Sequence, residues 1–156
     1  MEKCNELFLD DIVEIDIHPV AGCVFPIPYS VQGITSMSNC TLSDPVLRIG
    51  QGEGMVPAVE GSMTAKCTIN RQAQGMLAAI DISANVEEDT EIIRSLYNKI
   101  IRKDYYAVLH RRDGRRSLCY TLPNTFSFQS PVNVQGAETR SLSISMKACS
   151  EFITMG

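Results

Sequence analysis

Hydrophobic and polar residues alternate with a period of two along much of the chain, which predicts β-strands half-buried on one face. The clearest alternation spans residues 12–18, 58–69, 76–86 and 140–148. Shorter strands are predicted over residues 30–35, 46–49, 105–112, 115–122 and 124–129. In the segment 12–18, Val13, Ile15 and Ile17 share one face, and Glu14, Asp16 and His18 share the other.

One segment instead has a helical period. Over residues 88–103 the apolar side chains form a single stripe, acidic residues crowd the start, and basic residues crowd the end, which complements the helix dipole. The order of elements is therefore strands, one helix, then strands. The predicted fold is mainly β, an antiparallel β-sandwich or barrel with one flanking helix over 88–103.

The chain is expected to form a single domain over residues 1–156. Residues 1–11 are predicted to be an acidic N-terminal arm, mobile or held by a neighbouring subunit. Residues 19–57 hold five of the seven prolines and are predicted to be a long Pro/Gly-rich loop region. Asp113-Gly114 is the dipeptide that favours a type I′ hairpin turn.

Composition and charge exclude some classes of protein. The chain has 14 basic and 18 acidic residues, a net charge of −4, which is not the balance of a strongly basic nucleic-acid coat. The polar, acidic start does not resemble a secretory signal, so we expect a cytosolic protein with reduced, structural cysteines. None of the six cysteines forms a C-x-x-C pair.

The sequence contains little that predicts a catalytic site or a metal site. His18 and His110 are the only histidines, and we interpret both as surface residues. Glu14, Asp16 and His18 offer a weak metal-ligand pattern, since charges commonly line the wet face of a strand. The loop Gly50–Gly54 lacks the Lys-Ser/Thr of a phosphate loop and contains an acid. We therefore predict no enzyme, no metal and no cofactor.

The densest charge cluster is the predicted hairpin tip, with Arg111, Arg112, Arg115 and Arg116. Residues 99–116 hold seven bases and two acids, whereas residues 1–16 hold six acids and one base. Three interpretations stay open: a solvated tip, a nucleic-acid contact, and a contact with the acidic arm of a neighbouring copy. The last would use Asp10, Asp11 and Glu14 and favours head-to-tail association.

The order of features over residues 46–148 resembles the tail-tube family of long-tailed bacteriophages, related in fold to the tube of type VI secretion. The glycine-rich loop Gly50–Gly54 precedes a strand through Glu60-Gly61-Ser62-Met63-Thr64, and a second strand leads into the helix. The turn Asp113-Gly114-Arg115 follows, and Gly136-Ala137-Glu138-Thr139-Arg140 introduces the final strand.

The resemblance implies a structural virion protein that assembles into stacked hexameric rings around a DNA channel, in a virion tail built in the host bacterial cytoplasm. Its partners would be itself, other tail proteins and DNA passing without specific binding, with no membrane. The N-terminal arm and the 19–57 region would make contacts between rings. Channel-facing candidates are Glu60, Ser62, Thr64 and Lys66, or Ser141, Ser143 and Ser145.

Two alternatives stay open. The first is a tail terminator, completion or baseplate protein of the same kind of tail. The second is a soluble β-barrel binding module that uses the basic hairpin.

Overall fold

A computed structural model describes residues 5–9, 11–53, 55–59, 61–72, 75–86, 104–129 and 140–155. The helix predicted over residues 88–103 lies outside the described residues, as do Asp10 and Glu60. The described residues form twelve strands. They are β1 (Asn5–Leu9), β2 (Ile12–Pro19), β3 (Ser36–Met37), β4 (Leu47–Gly50), β5 (Val56–Pro57), β6 (Thr64–Gln72), β7 (Gly75–Val86), β8 (Tyr105–Arg111), β9 (Arg116–Cys119), β10 (Ser127–Gln129), β11 (Arg140–Ala148) and β12 (Ile153–Met155).

The strands make two sheets. A five-stranded antiparallel sheet has the order β1-β6-β7-β11-β10. A seven-stranded sheet has the order β3-β12-β9-β8-β2-β4-β5, in which β12–β3 and β4–β5 are parallel pairs. The fold is therefore mainly β, as predicted, with one antiparallel sheet and one mixed sheet. The described strands also form no closed barrel.

One hydrophobic core lies between the inner faces of the two sheets. Ile15, Ile17 and Leu109 enter it from the seven-stranded sheet, and Ile80 and Ile144 enter it from the five-stranded sheet. All five side chains are almost completely buried. The alternation that predicted the longest strands reflects this shared core, because every second residue of β7 from Ala78 and of β11 from Leu142 points into it.

Most predicted strands are present, with shifted ends. The strand over residues 140–148 matches β11 to the residue, and 76–86 matches β7 within one. The predicted strand 58–69 begins only at Thr64, because Gly61 has a φ of +76° and the Ser62 amide donates to the Val59 carbonyl in a turn. The strand predicted over 30–35 is wrong, since no strand lies there and β3 begins only at Ser36.

A β-bulge changes which residues at the start of β2 point into the core. The pairing with β8 shifts register between Ile12, opposite Arg111, and Glu14, opposite His110. A bulge places an extra residue in one strand and rotates the residues before it. Ile12 is consequently buried and Val13 is 37% exposed, so the prediction that Val13 shares the core face is wrong.

The N-terminal segment and the hairpin also differ from expectation. Residues 5–9 are not a free arm, because β1 pairs with β6 of the same chain, with Leu7 opposite Cys67. At the hairpin tip the Gly114 amide donates to the Arg111 carbonyl, and Gly114 alone has a positive φ. A type I′ turn needs a positive φ at both central residues, so that prediction is wrong.

Residues 19–45, here called the cap segment, cover the outer face of the seven-stranded sheet. Phe25 packs edge-on against Tyr106 and Tyr120, with ring centroids 5.1 and 4.9 Å away. The Tyr120 hydroxyl donates to the Ile27 carbonyl at 2.6 Å. A second hydrophobic cluster, including Ile34 and other cap residues, forms there. Part of the Pro/Gly-rich region thus packs on the sheet, whereas many of its other residues are exposed.

Candidate functional site

The outer face of the five-stranded sheet is a largely polar surface, here called the polar face. Its described polar side chains on the three central strands are Thr64, Lys66, Thr68, Asn70, Asp81, Ser83, Asn85, Ser141, Ser143, Ser145 and Lys147, and the apolar Leu77 and Ala79 share one end of this face. Register places Thr64 opposite Ser83 and Ser83 opposite Ser143, so one row of hydroxyls crosses three strands. A second row joins Lys66, Asp81 and Ser145.

This face unites the two sets of channel-facing candidates that the sequence left as alternatives. Thr64 and Lys66 lie on β6, Ser141, Ser143 and Ser145 lie on β11, and β7 separates them. Ser62 lies in the turn before β6, where its hydroxyl donates to the Val59 carbonyl at 2.6 Å. Glu60 lies outside the described residues.

Neighbouring side chains on the polar face bond to one another across strands. The hydroxyls of Thr64 and Ser83 lie 2.7 Å apart. Ser145 donates to Asp81 at 2.9 Å, and Ser141 donates to the Asn85 side-chain oxygen at 3.0 Å.

The described charges on this face are few, namely Lys66, Asp81 and Lys147. Both histidines of the chain lie on the other sheet, so no imidazole base is available to activate these hydroxyls. The described part of this face is therefore a solvent-accessible surface with few charges, and it lacks the constellation of a hydroxyl nucleophile with a histidine base.

A second group of polar side chains lies on the outer face of the seven-stranded sheet, beside the cap segment. Glu14 and Asp16 project from β2, His110 from β8 and Arg48 from β4. The His110 Nε2 atom lies 2.9 Å from Asp16 Oδ2 and 3.6 Å from Glu14 Oε2. Arg48 Nη2 lies 3.2 Å from Glu14 Oε2. These four residues are called the charged cluster below.

Burial and close charges shift the pKa values within the charged cluster. Burial, followed by the nearby Asp16, raises the pKa of Glu14. Burial alone would raise the pKa of Asp16, but hydrogen bonds with His110 and Glu14 outweigh it and lower the pKa. The hydrogen bond to Asp16 raises the pKa of His110 above its usual value, against the effect of burial. The cluster therefore favours a protonated imidazole against an ionised Asp16.

The structure corrects the interpretation of His18 as a surface residue. His18 is 5% exposed, and its Nδ1 lies 2.7 Å from the Ser43 carbonyl oxygen, because the cap segment folds over it. His110 is half-buried. It is this histidine, and not His18, that joins Glu14 and Asp16, since β2 and β8 are neighbours. The sequence alone does not show that β2 pairs with β8.

The basic hairpin lies beside the acidic start of β2 within one chain. The Arg112 amide donates to the Asp11 carbonyl at 2.8 Å. Arg112 and Arg115 are exposed, whereas Arg111 and Arg116 are half-buried. The contact of this hairpin with a neighbouring copy stays a prediction, and Asp10 lies outside the described residues.

The glycine-rich loop and the cysteines have structural explanations. A Cβ on Gly50 would meet the Met55 sulfur at 2.8 Å, so the loop folds closely around that side chain. Cys67 and Cys119 are buried, and burial raises the pKa of Cys67 to about 11. Burial also raises the pKa of Cys119. Thiols of this kind are unreactive at neutral pH.

No protein-family model matches this chain, and comparisons with curated proteins and with solved structures find no match either. Within the part of the chain that the structure describes, no helix has the length and apolar character needed to cross a membrane.

Proposed function

We propose that this chain is the subunit of a phage-type tail tube, a structural protein that assembles into stacked rings through which DNA passes. The observation that carries the proposal is the polar face. Proteins bind DNA chiefly by neutralising phosphates with Lys and Arg, so a surface of hydroxyls with few cations lets a polyanion pass without being held. The polar face has this composition across three adjacent strands.

The two outer faces of the molecule differ in a way that supports this assignment. The cap segment covers much of the outer face of the seven-stranded sheet with a second hydrophobic cluster. The polar face carries no such layer among the described residues. The five-stranded sheet is therefore the better candidate for the wall of a channel.

The strand edges of the five-stranded sheet supply a route to assembly. Among the described residues, no strand pairs with the outer edge of β1 or of β10. Open edges on a monomer promote uncontrolled pairing, and natural proteins usually protect them. Pairing of β10 in one subunit with β1 in the next would continue the sheet around a ring and satisfy both edges.

The proposal can be tested by labelling thiols in the assembled protein. Ser83→Cys places a thiol on the polar face, and Thr154→Cys places a matched exposed thiol on β12 of the other sheet. In assemblies, a bulky maleimide-polyethylene glycol should label Thr154→Cys and spare Ser83→Cys, while both should react in dissociated protein. Equal labelling of both variants in assemblies would contradict the proposed lumen.

Two further candidates are kept from the sequence analysis, and the exposed arginines of the hairpin favour the second of them. A terminator, completion or baseplate protein would form single rings or assemble only on other tail proteins. A soluble binding module would retain DNA as a monomer, with affinity that falls steeply with salt and with the loss of Arg112 and Arg115. The nearby Asp113 and Asp11 oppose that role, since Asp113 pairs with Arg115 at 3.5 Å.

If the hairpin instead contacts a neighbouring subunit, replacing Arg112 and Arg115 with Ser should weaken assembly and leave the monomer folded. Both side chains are exposed, so their loss removes charge from the surface without disturbing the core. Sedimentation of the variant against the wild type measures the effect. Unchanged assembly would reject the hairpin contact.

A further inference from the structure

Three potential metal ligands converge in the charged cluster. One carboxylate oxygen of Glu14, one of Asp16 and one ring nitrogen of His110 all lie within 4.8 Å of one another. The two distances from the imidazole nitrogen are 2.9 and 3.6 Å. Ligands that each lie about 2.1 Å from a shared ion are separated by roughly 3.0–3.4 Å, so these donors need little movement to share one.

An independent observation points to a missing partner at the same place. The Asp16 side chain is 9% exposed, and its Oδ1 atom is buried without a hydrogen bond. The nearest cation is Arg48, whose Nε lies 3.7 Å from this oxygen, outside hydrogen-bonding distance. A buried carboxylate oxygen normally has a hydrogen-bond donor or a metal ion as its partner.

From this arrangement we propose that Glu14, Asp16 and His110 bind one divalent transition-metal ion, of the class of Mn²⁺ or Zn²⁺. One imidazole and two carboxylates suit these ions, whereas Ca²⁺ takes six to eight oxygen ligands. His110 is 30% exposed at its side chain, which leaves an open side for water and for entry of the ion.

Arg48 competes with the ion for the same carboxylates. Its guanidinium contacts both Glu14 and Asp16 and is 42% exposed at the side chain, so it can withdraw into solvent. Binding of the ion exchanges one cationic partner of the carboxylates for another. Loss of Arg48 therefore strengthens binding, which a purely structural ion-pair network does not predict.

The test is a Mn²⁺ titration of the full chain near pH 7.5, with free Mn²⁺ followed by electron paramagnetic resonance. Mn²⁺ avoids interference from the cysteines because it prefers oxygen and nitrogen ligands to thiolates. We expect one ion per chain in the wild type. Asp16→Asn and His110→Gln should each weaken the Kd by about tenfold or more, since each removes a ligand.

Two further variants complete the design. Asp81→Asn removes a carboxylate from the polar face and should leave the Kd unchanged. Arg48→Gln should tighten binding by on the order of tenfold, because a competing positive charge is gone. If Asp16→Asn fails to fold, His110→Gln and Arg48→Gln still decide the matter.

Paramagnetic broadening of amide signals locates the bound ion. The proposal expects broadening around β2, β4 and β8 and none at the centre of β11. Absence of saturable binding, equal Kd values for wild type and His110→Gln, or broadening centred on the polar face would overturn it.

Discussion

Replacing His110 with Leu should destabilise the fold in a pH-dependent manner. The change removes the 2.9 Å hydrogen bond to Asp16 and leaves a carboxylate that is 9% exposed. The remaining cation, Arg48, lies 3.7 Å from the other carboxylate oxygen. Loss of a hydrogen bond to a charged group costs about 1.5–3 kcal/mol, and the burial of Asp16 places the expected loss at about 2–3 kcal/mol.

The pH window follows from the directions of the two pKa shifts. Folding raises the pKa of His110 above 6.5, so its contribution is complete below that value and is lost as the pH rises through the folded pKa. Folding lowers the pKa of Asp16 below 3.8, so its contribution is present above that value and is lost as the pH falls through the folded pKa. The pair therefore stabilises the protein most between about pH 4 and 6.5.

Urea unfolding followed by far-ultraviolet circular dichroism at pH 5.5 and pH 8.5, with a chelator present, measures the effect. For a chain of this size the loss at pH 5.5 corresponds to a fall in Tm of about 4–12 °C. Arg115→Leu is the matched control on the same hairpin, since its side chain is 68% exposed, and it should stay within about 0.5 kcal/mol of wild type. A loss below 0.5 kcal/mol at pH 5.5, or the same loss at both pH values, would refute the reasoning.

Three other predictions test the turn, the cap segment and the core. Gly114→Ala should cost about 1–2 kcal/mol in urea unfolding because its φ of +91° disfavours a Cβ, and an unchanged midpoint would contradict that. Tyr120→Phe, which removes the hydrogen bond to Ile27, should cost about 1 kcal/mol and speed proteolysis of the cap segment, whereas unaltered cleavage would argue against anchoring. Cys67 and Cys119 should resist iodoacetamide at pH 8 until unfolding, as mass spectrometry can show, and rapid native labelling would contradict their burial.

The strands with strict alternation could be predicted from sequence because their pattern is local. Every second residue of β11, from Leu142 to Ala148, enters the core, so the apolar period marks the strand to its ends. β7 behaves in the same way. The bounds of such strands can be predicted without knowing which strands they pair with.

Features that depend on distant pairing could not be predicted. The bulge beside Val13 arises from the register of β2 against β8. The burial of His18 depends on Ser43 in the cap segment, and the contact of His110 with Asp16 joins residues 94 positions apart. The polar face was predicted as two separate candidate strands, because only sheet order shows that β7 lies between them.

The most direct test of the central proposal is negative-stain electron microscopy of the purified protein, combined with mass measurement by light scattering. The proposal predicts rings or tubes whose mass is a multiple of 17.2 kDa. A uniform 17 kDa monomer that persists at high concentration would contradict self-assembly into a tube.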